Sequence, residues 1–284
     1  MDSTREFPSS APPPHPARLE TLRCSTRSHR GPSRGIDATL WTVGGSGRPR
    51  PSSDARPDVS GLVVRPARTR ADREKVFDVR WEGYRKYFGA RDDVVERYDF
   101  QPNATLLLAT DTEDRPLGTL RILDRAHGEL ELDAYVDVDA IVPAAERPCI
   151  EATRFTVPRH PRSQDIKSAL WKAFHDYSRA NGSQSMVIWC RKGAARMYGR
   201  LMFEDVGAEG EFRHPRLGNK THRTYKVGLS TVEALYRDRN HPLSELFFGA
   251  ASARGDCAQW STTLQSTERF DAVDDRRFQL PGDM

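Results

Sequence analysis

The sequence predicts an α/β domain with one mixed, mainly antiparallel central sheet flanked by helices. Short runs of β-branched and apolar residues alternate along 61–249 with stretches whose apolar residues recur at helical spacing. The segments follow the order strand, helix, hairpin, central strand, helix, strand, helix and late strands, which is typical of a mixed sheet. A core of this kind needs fewer than about 200 residues. The 284-residue chain therefore has room for one folded domain and two tails.

The two tails differ from the domain in composition. Residues 1–60 contain nine of the 19 prolines and many Ser, Arg and Gly residues, and residues 250–284 are polar. Apolar residues in both segments are too sparse to offset the entropy of ordering the chain. We therefore predict disorder at 1–60 and 250–284, on either side of one domain at 61–249.

Composition excludes several classes of function. The formal net charge of +4 is modest for this length and does not indicate a nucleic-acid-binding protein. No window is apolar enough for a membrane span, and the N-terminus lacks the apolar core of a signal peptide, so we expect a cytoplasmic protein. The eight histidines show no metal-ligand spacing. Four scattered cysteines without a CxxC pair are typical of free thiols: Cys24, Cys149, Cys190 and Cys257.

The domain begins with a strand and an amphipathic helix. Residues 61–66 have strand composition, and the periodicity at 70–88 predicts the helix. One arginine, Arg80, lies in or beside the apolar stripe of this helix and is either a snorkelling side chain or a site residue. The stripe consists of Val76, Phe77, Arg80, Trp81, Tyr84 and Phe88.

A hairpin and an acidic connection follow. Residues 104–110 and 116–123 predict the two strands of the hairpin, and Arg121 lies inside the second strand, on a solvated face or in a site. The connection at 124–148 is irregular, with a short strand predicted near 130–136. Its acidic residues, which we expect to be solvated, are Glu129, Glu131, Asp133, Asp137 and Asp139.

The second half of the domain alternates strands and helices. Ser163 is a candidate N-cap for the longest helix, because serine accepts hydrogen bonds from the first free N–H groups. The predicted elements are a central strand at 149–157, a helix at 165–181, a strand at 184–190, a short helix at 192–201, two late strands at 206–213 and 221–229, and a helical segment at 231–248.

The central strand carries charges where a buried strand is normally apolar. Glu151 and Arg154 interrupt its β-branched and aromatic residues. A charge in a core strand costs several kcal/mol, roughly, unless it is paired or faces a cleft. A structural ion pair and a site are both consistent with this pattern. In a regular strand the two side chains point to opposite faces, so a common cleft requires a β-bulge.

The stretch Glu151-Ala-Thr-Arg-Phe-Thr-Val157 resembles the central strand of the N-acyl amino acid synthases and acyl-homoserine-lactone synthases. Both belong to the N-acetyltransferase (GNAT) fold, and the resemblance spans roughly residues 61–230. It implies that a free amine attacks an acyl thioester. We therefore expect a small-molecule amine acceptor, an acyl thioester co-substrate and no tightly bound cofactor.

The resemblance also implies catalytic roles. A base is useful because the attacking amine must lose a proton, and Glu151 is the candidate. Tyr198 precedes Gly-Arg-Leu-Met-Phe203, which looks like the GNAT Tyr-x-x-Leu-Gly-Phe ending with Met202 in place of glycine. In GNAT enzymes that tyrosine protonates the leaving thiolate. A half-buried helix tyrosine is the structural alternative.

Four further residues are candidates for binding the acceptor. Arg80, Arg121 and Arg154 suit a carboxylate because guanidinium groups bind carboxylates in a bidentate manner. One of the three is alternatively a partner that keeps Glu151 ionised. Asp99 follows Tyr98 and looks like the Tyr-Asp pair of the acyl-homoserine-lactone synthases.

The donor site is expected where the central strand leads into the next helix. GNAT enzymes have a (Gln/Arg)-x-x-Gly-x-(Gly/Ala) loop there, whose backbone N–H groups hold a pyrophosphate. The corresponding stretch, 162–167, has neither glycine and contains Asp165. This departure favours a donor carried on acyl carrier protein over coenzyme A. The donor-binding candidates, whose alternative is a solvated basic turn, are Arg159, Arg162, Ser163 and Lys167.

Two other functions remain open from the sequence. An ordinary GNAT enzyme would transfer an acetyl group from acetyl-CoA, and a non-catalytic GNAT-like domain would bind partners through its basic tails. The segment at 231–248 is a candidate cover for an acyl tunnel, because it is rich in large apolar residues. These are Leu235, Leu246, Phe247 and Phe248.

Overall fold

The structure is a computed structural model that describes residues 57–249. The tail predicted at 250–284 and nearly all of the tail predicted at 1–60 lie outside the described residues. Between them, eight strands form one sheet with helices on both faces. Every strand pair is antiparallel except β4–β5, which confirms the predicted mixed, mainly antiparallel sheet.

The strands are hydrogen-bonded in the order β1-β2-β3-β4-β5-β8-β6, and β7 also pairs with β8. The strands are β1 (Val63–Pro66), β2 (Ala104–Thr110), β3 (Pro116–Asp124), β4 (Cys149–Thr156), β5 (Ser185–Cys190), β6 (Glu204–Asp205), β7 (Glu211–His214) and β8 (Lys220–Gly228). The helices are α1 (Arg70–Tyr84), α2 (Val138–Ile141), α3 (Ser163–Ala180), α4 (Ala195–Arg200), α5 (Val232–Asp238) and α6 (Ser244–Phe248).

Helices cover both faces of the sheet because successive strand residues point to opposite sides. On one face, Ile150 and Ala152 of β4 belong to a large apolar core with residues of α3, α4, α5 and α6. On the other face, Cys149 belongs to a core with α2, and α1 packs against β2. Within residues 57–249, no helix has both the length and the hydropathy needed to cross a membrane.

The parallel strands β4 and β5 separate towards their carboxyl ends. Their pairing ends with Ala152 opposite Ile188, although β4 continues to Thr156. The register between β3 and β4 also slips by one residue there. Arg154 lies in this bulge with φ of 51°, a left-handed conformation that is uncommon for a residue other than glycine. The bulge and the separation leave an opening, called here the β4–β5 opening.

Helix α1 closes one side of this opening. A capping box begins the helix, since Thr69 Oγ1 accepts from the N–H of Asp72 at 3.1 Å and Asp72 accepts from the N–H of Thr69. Near its end, Gly83 approaches β4 so closely that a Cβ atom there would lie 2.4 Å from Thr156 Cγ2. Glycine at this position therefore sets the distance between α1 and the bulged strand.

Four local predictions of secondary structure were wrong. The strand expected at 206–213 is instead a 3-10 turn, Ala208–Gly210, followed by β7, which begins only at Glu211. Residues near 130–136 form no strand but a 3-10 turn, Leu132–Ala134, and Leu130 and Leu132 pack in the apolar core that contains α2. Helix α1 ends at Tyr84, so Phe88 lies beyond it. Ser163 is the first residue of α3 rather than its N-cap, and its hydroxyl bonds to the carbonyl of His160 within the preceding turn.

We predict that Gly83→Ala destabilises the protein by about 1–3 kcal/mol, the usual cost of overpacking. Thr156→Ser removes the methyl group in question and retains the hydroxyl, which donates to the carbonyl of Arg154. The double variant Gly83→Ala/Thr156→Ser should therefore regain most of the free energy of unfolding that Gly83→Ala loses. Urea denaturation measures this difference.

The matched control is Gly199→Ala, because Gly199 is also helical and a Cβ atom there meets nothing within 4 Å. This control should be neutral or slightly stabilising, as expected from helix propensity. Equal losses for the two alanine variants would contradict the packing explanation.

Candidate active site

A cluster of charged side chains lies in the interior between α1, β3 and β4. Arg80 of α1 is completely buried, and its Nη1 donates to both carboxylate oxygens of Asp99 at 2.8 Å. Its Nε and Nη2 have no hydrogen-bond partner. Arg80 thus does not snorkel, because a buried carboxylate compensates its charge.

Arg121 of β3 is also completely buried and holds the cluster together. It donates to Glu96 at 3.0 Å, to Asp99 at 3.1 Å and to Glu131. Its Nε donates to Thr153 Oγ1 of the neighbouring strand at 2.9 Å. Of the two alternatives for Arg121, the solvated face is thus excluded by its complete burial. One guanidinium group joins three segments that are distant in the sequence.

The bulge directs Arg154 into the same cluster. Its Nε and Nη2 donate to the two carboxylate oxygens of Glu96, each at 2.6 Å, and Nη2 also reaches Glu131 at 2.7 Å. The guanidinium group lies 5.5 Å from the ring centroid of Trp189, within the range of a cation–π contact. Arg154 and Glu151 consequently face the same side of the sheet, as the predicted bulge requires.

The charges of this cluster balance. Three guanidinium groups face three carboxylates, those of Glu96, Asp99 and Glu131. Burial raises the pKa of Asp99, but the charges of Arg80 and Arg121 outweigh burial, and the net shift is downward. The pKa of Glu131 is likewise lowered on balance. Acidic residues paired in this way stay ionised at neutral pH.

Glu151 differs from these three carboxylates because its hydrogen-bond donors are neutral. Its Oε1 accepts from Trp189 Nε1 at 2.7 Å, and its Oε2 accepts from the N–H of Leu132 at 3.3 Å. Burial and then the negative charge of Glu131 raise the pKa of Glu151 to about 8. Glu151 is therefore protonated at neutral pH in this structure and gains a proton more readily than an ordinary glutamate.

Tyr198 of α4 lies on the opposite face, in the core that contains α3. Its ring packs edge-on against Trp171 at 5.5 Å and against Phe203 at 6.1 Å. Phe155, the residue after Arg154, also contacts Trp171, at 5.1 Å. Burial raises the pKa of Tyr198 well above its usual value, so the phenol remains protonated. Tyr198 and the bulge thus share Trp171 as a neighbour.

Arg216, which the sequence analysis missed, connects the cluster to solvent. It is 44% exposed, and it donates to Glu96 Oε1 at 3.0 Å and to the carbonyl of Asp93 at 2.6 Å. Its guanidinium group lies 5.3 Å from the ring of Phe88, and Arg191 lies 4.9 Å from that of Tyr87. These residues form an aromatic and basic rim beside the cluster.

The turn between β4 and α3 contains the candidate donor-binding residues. Arg159 is exposed. Arg162 donates to the carbonyls of Asp58 and Ser60, both at 2.8 Å. Asp165 accepts from the N–H of Asp58 at 3.1 Å. The segment before β1 therefore lies against the start of α3 and engages Arg162.

Lys167 lies one turn into α3. Burial lowers its pKa to about 8, and its Nζ donates to Gln164 Oε1 at 3.3 Å. Lys167 is thus a partly neutral amine at mildly alkaline pH, and a nearby anion would restore its charge.

Other reactive groups in the described part of the chain do not form a site. Cys149 and Cys190 are buried free thiols, and burial raises the pKa of each to about 12. Neither is a reactive thiolate at neutral pH. Residues 57–249 contain no group of His, Cys, Asp or Glu side chains that could hold a metal ion.

The sequence analysis missed the burial of Glu131 because its ion-pair partners are distant in the sequence. Glu131, expected to be solvated, is only 2% exposed because Arg121 and Arg154 both bind it. Glu129, two residues earlier, is exposed. The alternation of glutamate and leucine at 129–132 places both glutamates in the same phase and does not distinguish them. No local signal identifies Arg216 or Trp189.

A known family and several solved structures are similar to this chain. The model of the family described as N-acyl amino acid synthase FeeM matches residues 76–223, just over half of the chain. The structure of FeeM, an N-acyl amino acid synthase from uncultured soil microbes, aligns with a TM-score of 0.50 and 17% identity over 61% of this chain and 93% of FeeM. At this identity the likeness shows the fold, which is the GNAT fold.

Two further structures are similar. The acyl-homoserine-lactone synthase LasI aligns with a TM-score of 0.45 and 19% identity over 59% of this chain and 90% of LasI. An acetyltransferase of the GNAT family from Staphylococcus aureus Mu50 aligns with a TM-score of 0.42 and 11% identity over 59% of this chain and 99% of its own. No curated protein sequence matches significantly.

The raised pKa of Glu151 predicts a pH-dependent effect of Glu151→Gln on stability. Between about pH 4.5 and pH 8 the unfolded chain ionises this group while the folded chain keeps it protonated. Wild-type stability therefore loses a contribution as pH rises through this window. Glutamine resembles the protonated acid and does not titrate.

We accordingly expect the free energy of unfolding of Glu151→Gln, relative to wild type, to rise by at least about 1 kcal/mol between pH 5 and pH 8.5. Urea denaturation at both pH values measures this difference, and effects of Asp99 and Glu131 cancel because both proteins contain them. A difference that does not change with pH would contradict the raised pKa.

Proposed function

Because the chain belongs to the N-acyl amino acid synthase FeeM family and is an acyltransferase that acts on an amine, we propose that it transfers a fatty acyl group from acyl carrier protein to an amino acid. The new amide bond forms as the carbon–sulfur bond of the thioester breaks. The amine loses a proton, and the departing thiolate gains one. The residues around the β4–β5 opening suit these two proton transfers.

The hydrogen bonding of Glu151 is the observation that carries the proposal. In a cluster where arginines neutralise three carboxylates, Glu151 alone among the four is held by neutral donors. In its ionised form it is a stronger base than an ordinary glutamate, because its pKa is about 8. We assign Glu151 the role of accepting the proton of the attacking amine.

Tyr198 is suited to the second proton transfer. Its raised pKa keeps the phenol protonated at the pH where Glu151 begins to ionise. Tyr198 packs on Trp171, which also contacts Phe155 at the bulge. These contacts support a position for Tyr198 across the opening from Glu151. In this proposal Tyr198 donates a hydrogen bond or a proton to the thiolate.

Arg216 and Arg154 are the proposed ligands of the acceptor's carboxylate. Both donate to Glu96 Oε1, at 3.0 Å and 2.6 Å, so a carboxylate already occupies the position between them. A second carboxylate entering from the exposed side of Arg216 would share these donors. Arg80 and Arg121 are completely buried. We therefore assign them, with Asp99, the role of positioning the cluster.

The start of α3 is the proposed docking point for the donor. Its first turn lacks the GNAT glycines, and Arg162 and Asp165 are engaged by the segment at 58–60. The missing glycines and the prior engagement of Arg162 disfavour a pyrophosphate and support a single phosphate on a carrier-bound arm. Exposed Arg159 and nearby Lys167 would face the acidic carrier surface or that phosphate.

A product screen by mass spectrometry tests the proposal. The purified full-length chain is given either long-chain acyl carrier protein or acetyl-CoA, with pooled amino acids and S-adenosylmethionine as acceptors. We expect an N-acyl amino acid formed from the carrier-bound donor. An acetylated product formed from acetyl-CoA alone would contradict the proposal that acyl carrier protein is the donor. An acyl lactone would identify S-adenosylmethionine as the acceptor.

We predict that Glu151→Gln lowers kcat by about 10²–10⁴-fold, the usual contribution of a general base. Steady-state kinetics with the donor and acceptor found in the screen measure this effect. Glu129→Gln is the matched control, because Glu129 is an exposed glutamate of the connection that also supplies Leu132.

The same assay tests Tyr198→Phe, which removes the phenolic proton and preserves the ring that packs on Trp171. Turnover should fall while the melting temperature stays near that of wild type. Unchanged kcat in either variant, with the fold intact, would remove that residue from the mechanism.

A further inference from the structure

A small cavity lies between α3 and the pair α5–α6, on the face of the sheet that carries Tyr198. Its walls are mainly apolar and include Met186 of β5 with Val232, Tyr236 and Phe247 of the two C-terminal helices. The space holds about one water molecule. These helices begin after residue 223, where the match to the family model ends, so this cover is an addition to the matched region.

Two polar side chains that lack hydrogen-bond partners line this apolar cavity. Both nitrogens of His175 and Nε1 of Trp171 are buried and make no hydrogen bond. His175 is 1% exposed and Trp171 is 4% exposed. The nearest carboxylate oxygen to His175 Nδ1 is that of Asp176, at 3.7 Å, which is too long for a hydrogen bond. Buried polar groups almost always have a hydrogen-bond partner, so the nitrogens of His175 and Trp171 indicate that a partner is missing.

The two groups share one wall because residues four apart lie on the same side of a helix. Burial lowers the pKa of His175, so its imidazole is neutral and offers one donor and one acceptor. Trp171 offers a further donor. Around them are the rings of Phe247 and Phe248, at 5.6 Å and 5.0 Å from the imidazole. The cavity therefore suits one hydroxyl-sized polar group carried by an apolar molecule.

Trp171 also connects the cavity to the proposed reaction site. Its ring contacts Phe155 at the bulge and Tyr198, the proposed proton donor. His175 lies one helical turn, about 5.4 Å, further along α3. An acyl chain whose thioester lies at the β4–β5 opening would pass Trp171 before it reaches His175. Any oxygen bound there would thus be distant from the thioester carbon.

We propose that this cavity binds the far end of the acyl chain and selects chains that carry a hydroxyl group there. The inference rests on the proposed function, because it identifies the acyl class used by the same site. His175 and Trp171 supply the hydrogen bonds, and α5–α6 supply the apolar cover. A plain alkyl end would leave both polar groups unpaired, which is the basis of the selection.

Binding of free fatty acids to the full-length chain tests this inference without requiring turnover. The probes are decanoic acid and 10-hydroxydecanoic acid, whose Kd values are measured by isothermal titration calorimetry. We expect the hydroxylated acid to bind roughly fivefold to tenfold more tightly, the effect of about one net hydrogen bond.

Variants of His175 identify the source of the preference. His175→Phe removes both nitrogens and should abolish it, whereas His175→Gln retains a donor and an acceptor and should preserve it. His127→Phe is the control, because His127 is a half-exposed histidine that hydrogen-bonds Asp124, away from the cavity.

Three results would overturn the inference. Equal affinities of wild type for the two acids would mean that a buried water alone satisfies His175 and Trp171. A preference that survives His175→Phe would place the hydroxyl elsewhere. Binding of neither acid, with acyl transfer intact in the product screen, would exclude the cavity as the binding site for the acyl end. The proposed function would be unaffected by that result. Binding as expected without any acyl transfer would contradict the proposed function instead.

Discussion

Three completely or nearly completely buried guanidinium groups impose the main constraint on this fold. Removing one charge from water costs several kcal/mol unless carboxylates surround it. Here the carboxylates come from separate parts of the chain: Glu96 and Asp99 from the loop after α1, and Glu131 from the connection before β4. The charge balance therefore fixes two irregular segments that have little secondary structure of their own. It also fixes the neighbours of Glu151, whose pKa is raised by burial and by the negative charge of Glu131.

The bulge in β4 links this balance to the opening in the sheet. Without the left-handed conformation of Arg154, its side chain would point away from Glu96 and Glu131. The same irregularity accompanies the end of pairing between β4 and β5. One backbone distortion thus completes the ion-pair cluster and separates the two strands. The strain of such a conformation is of order 1–3 kcal/mol, and the two short bonds to Glu96 offset it.

The sequence predicted the regular elements well because each has a local signal. Period-two and helical patterns located most strands and helices, and the charges inside β4 pointed to a bulge near Arg154. The motif ending at Phe203 contains Met202 where the GNAT pattern has glycine, and Met202 indeed has a positive φ of 64°. The sequence analysis noted this substitution but did not predict the left-handed backbone conformation.

Partners distant in the sequence could not be predicted. Nothing near Arg80 indicates that Asp99 binds it, and nothing near Glu131 separates it from exposed Glu129. The unpaired nitrogens of His175 follow only from the packing of α5 and α6 over α3. Burial and pairing of polar groups are tertiary properties, and they decide which of the charged residues form the site.

Glu151 is the one acid without an arginine partner in an otherwise balanced cluster. Carbon-13 NMR of protein labelled at the glutamate side-chain carboxyl carbons measures its protonation directly. We expect one resonance that titrates with a midpoint near the pKa of about 8 and is absent from Glu151→Gln. A Glu151 resonance that titrates near the ordinary glutamate value of about 4.3 would contradict it.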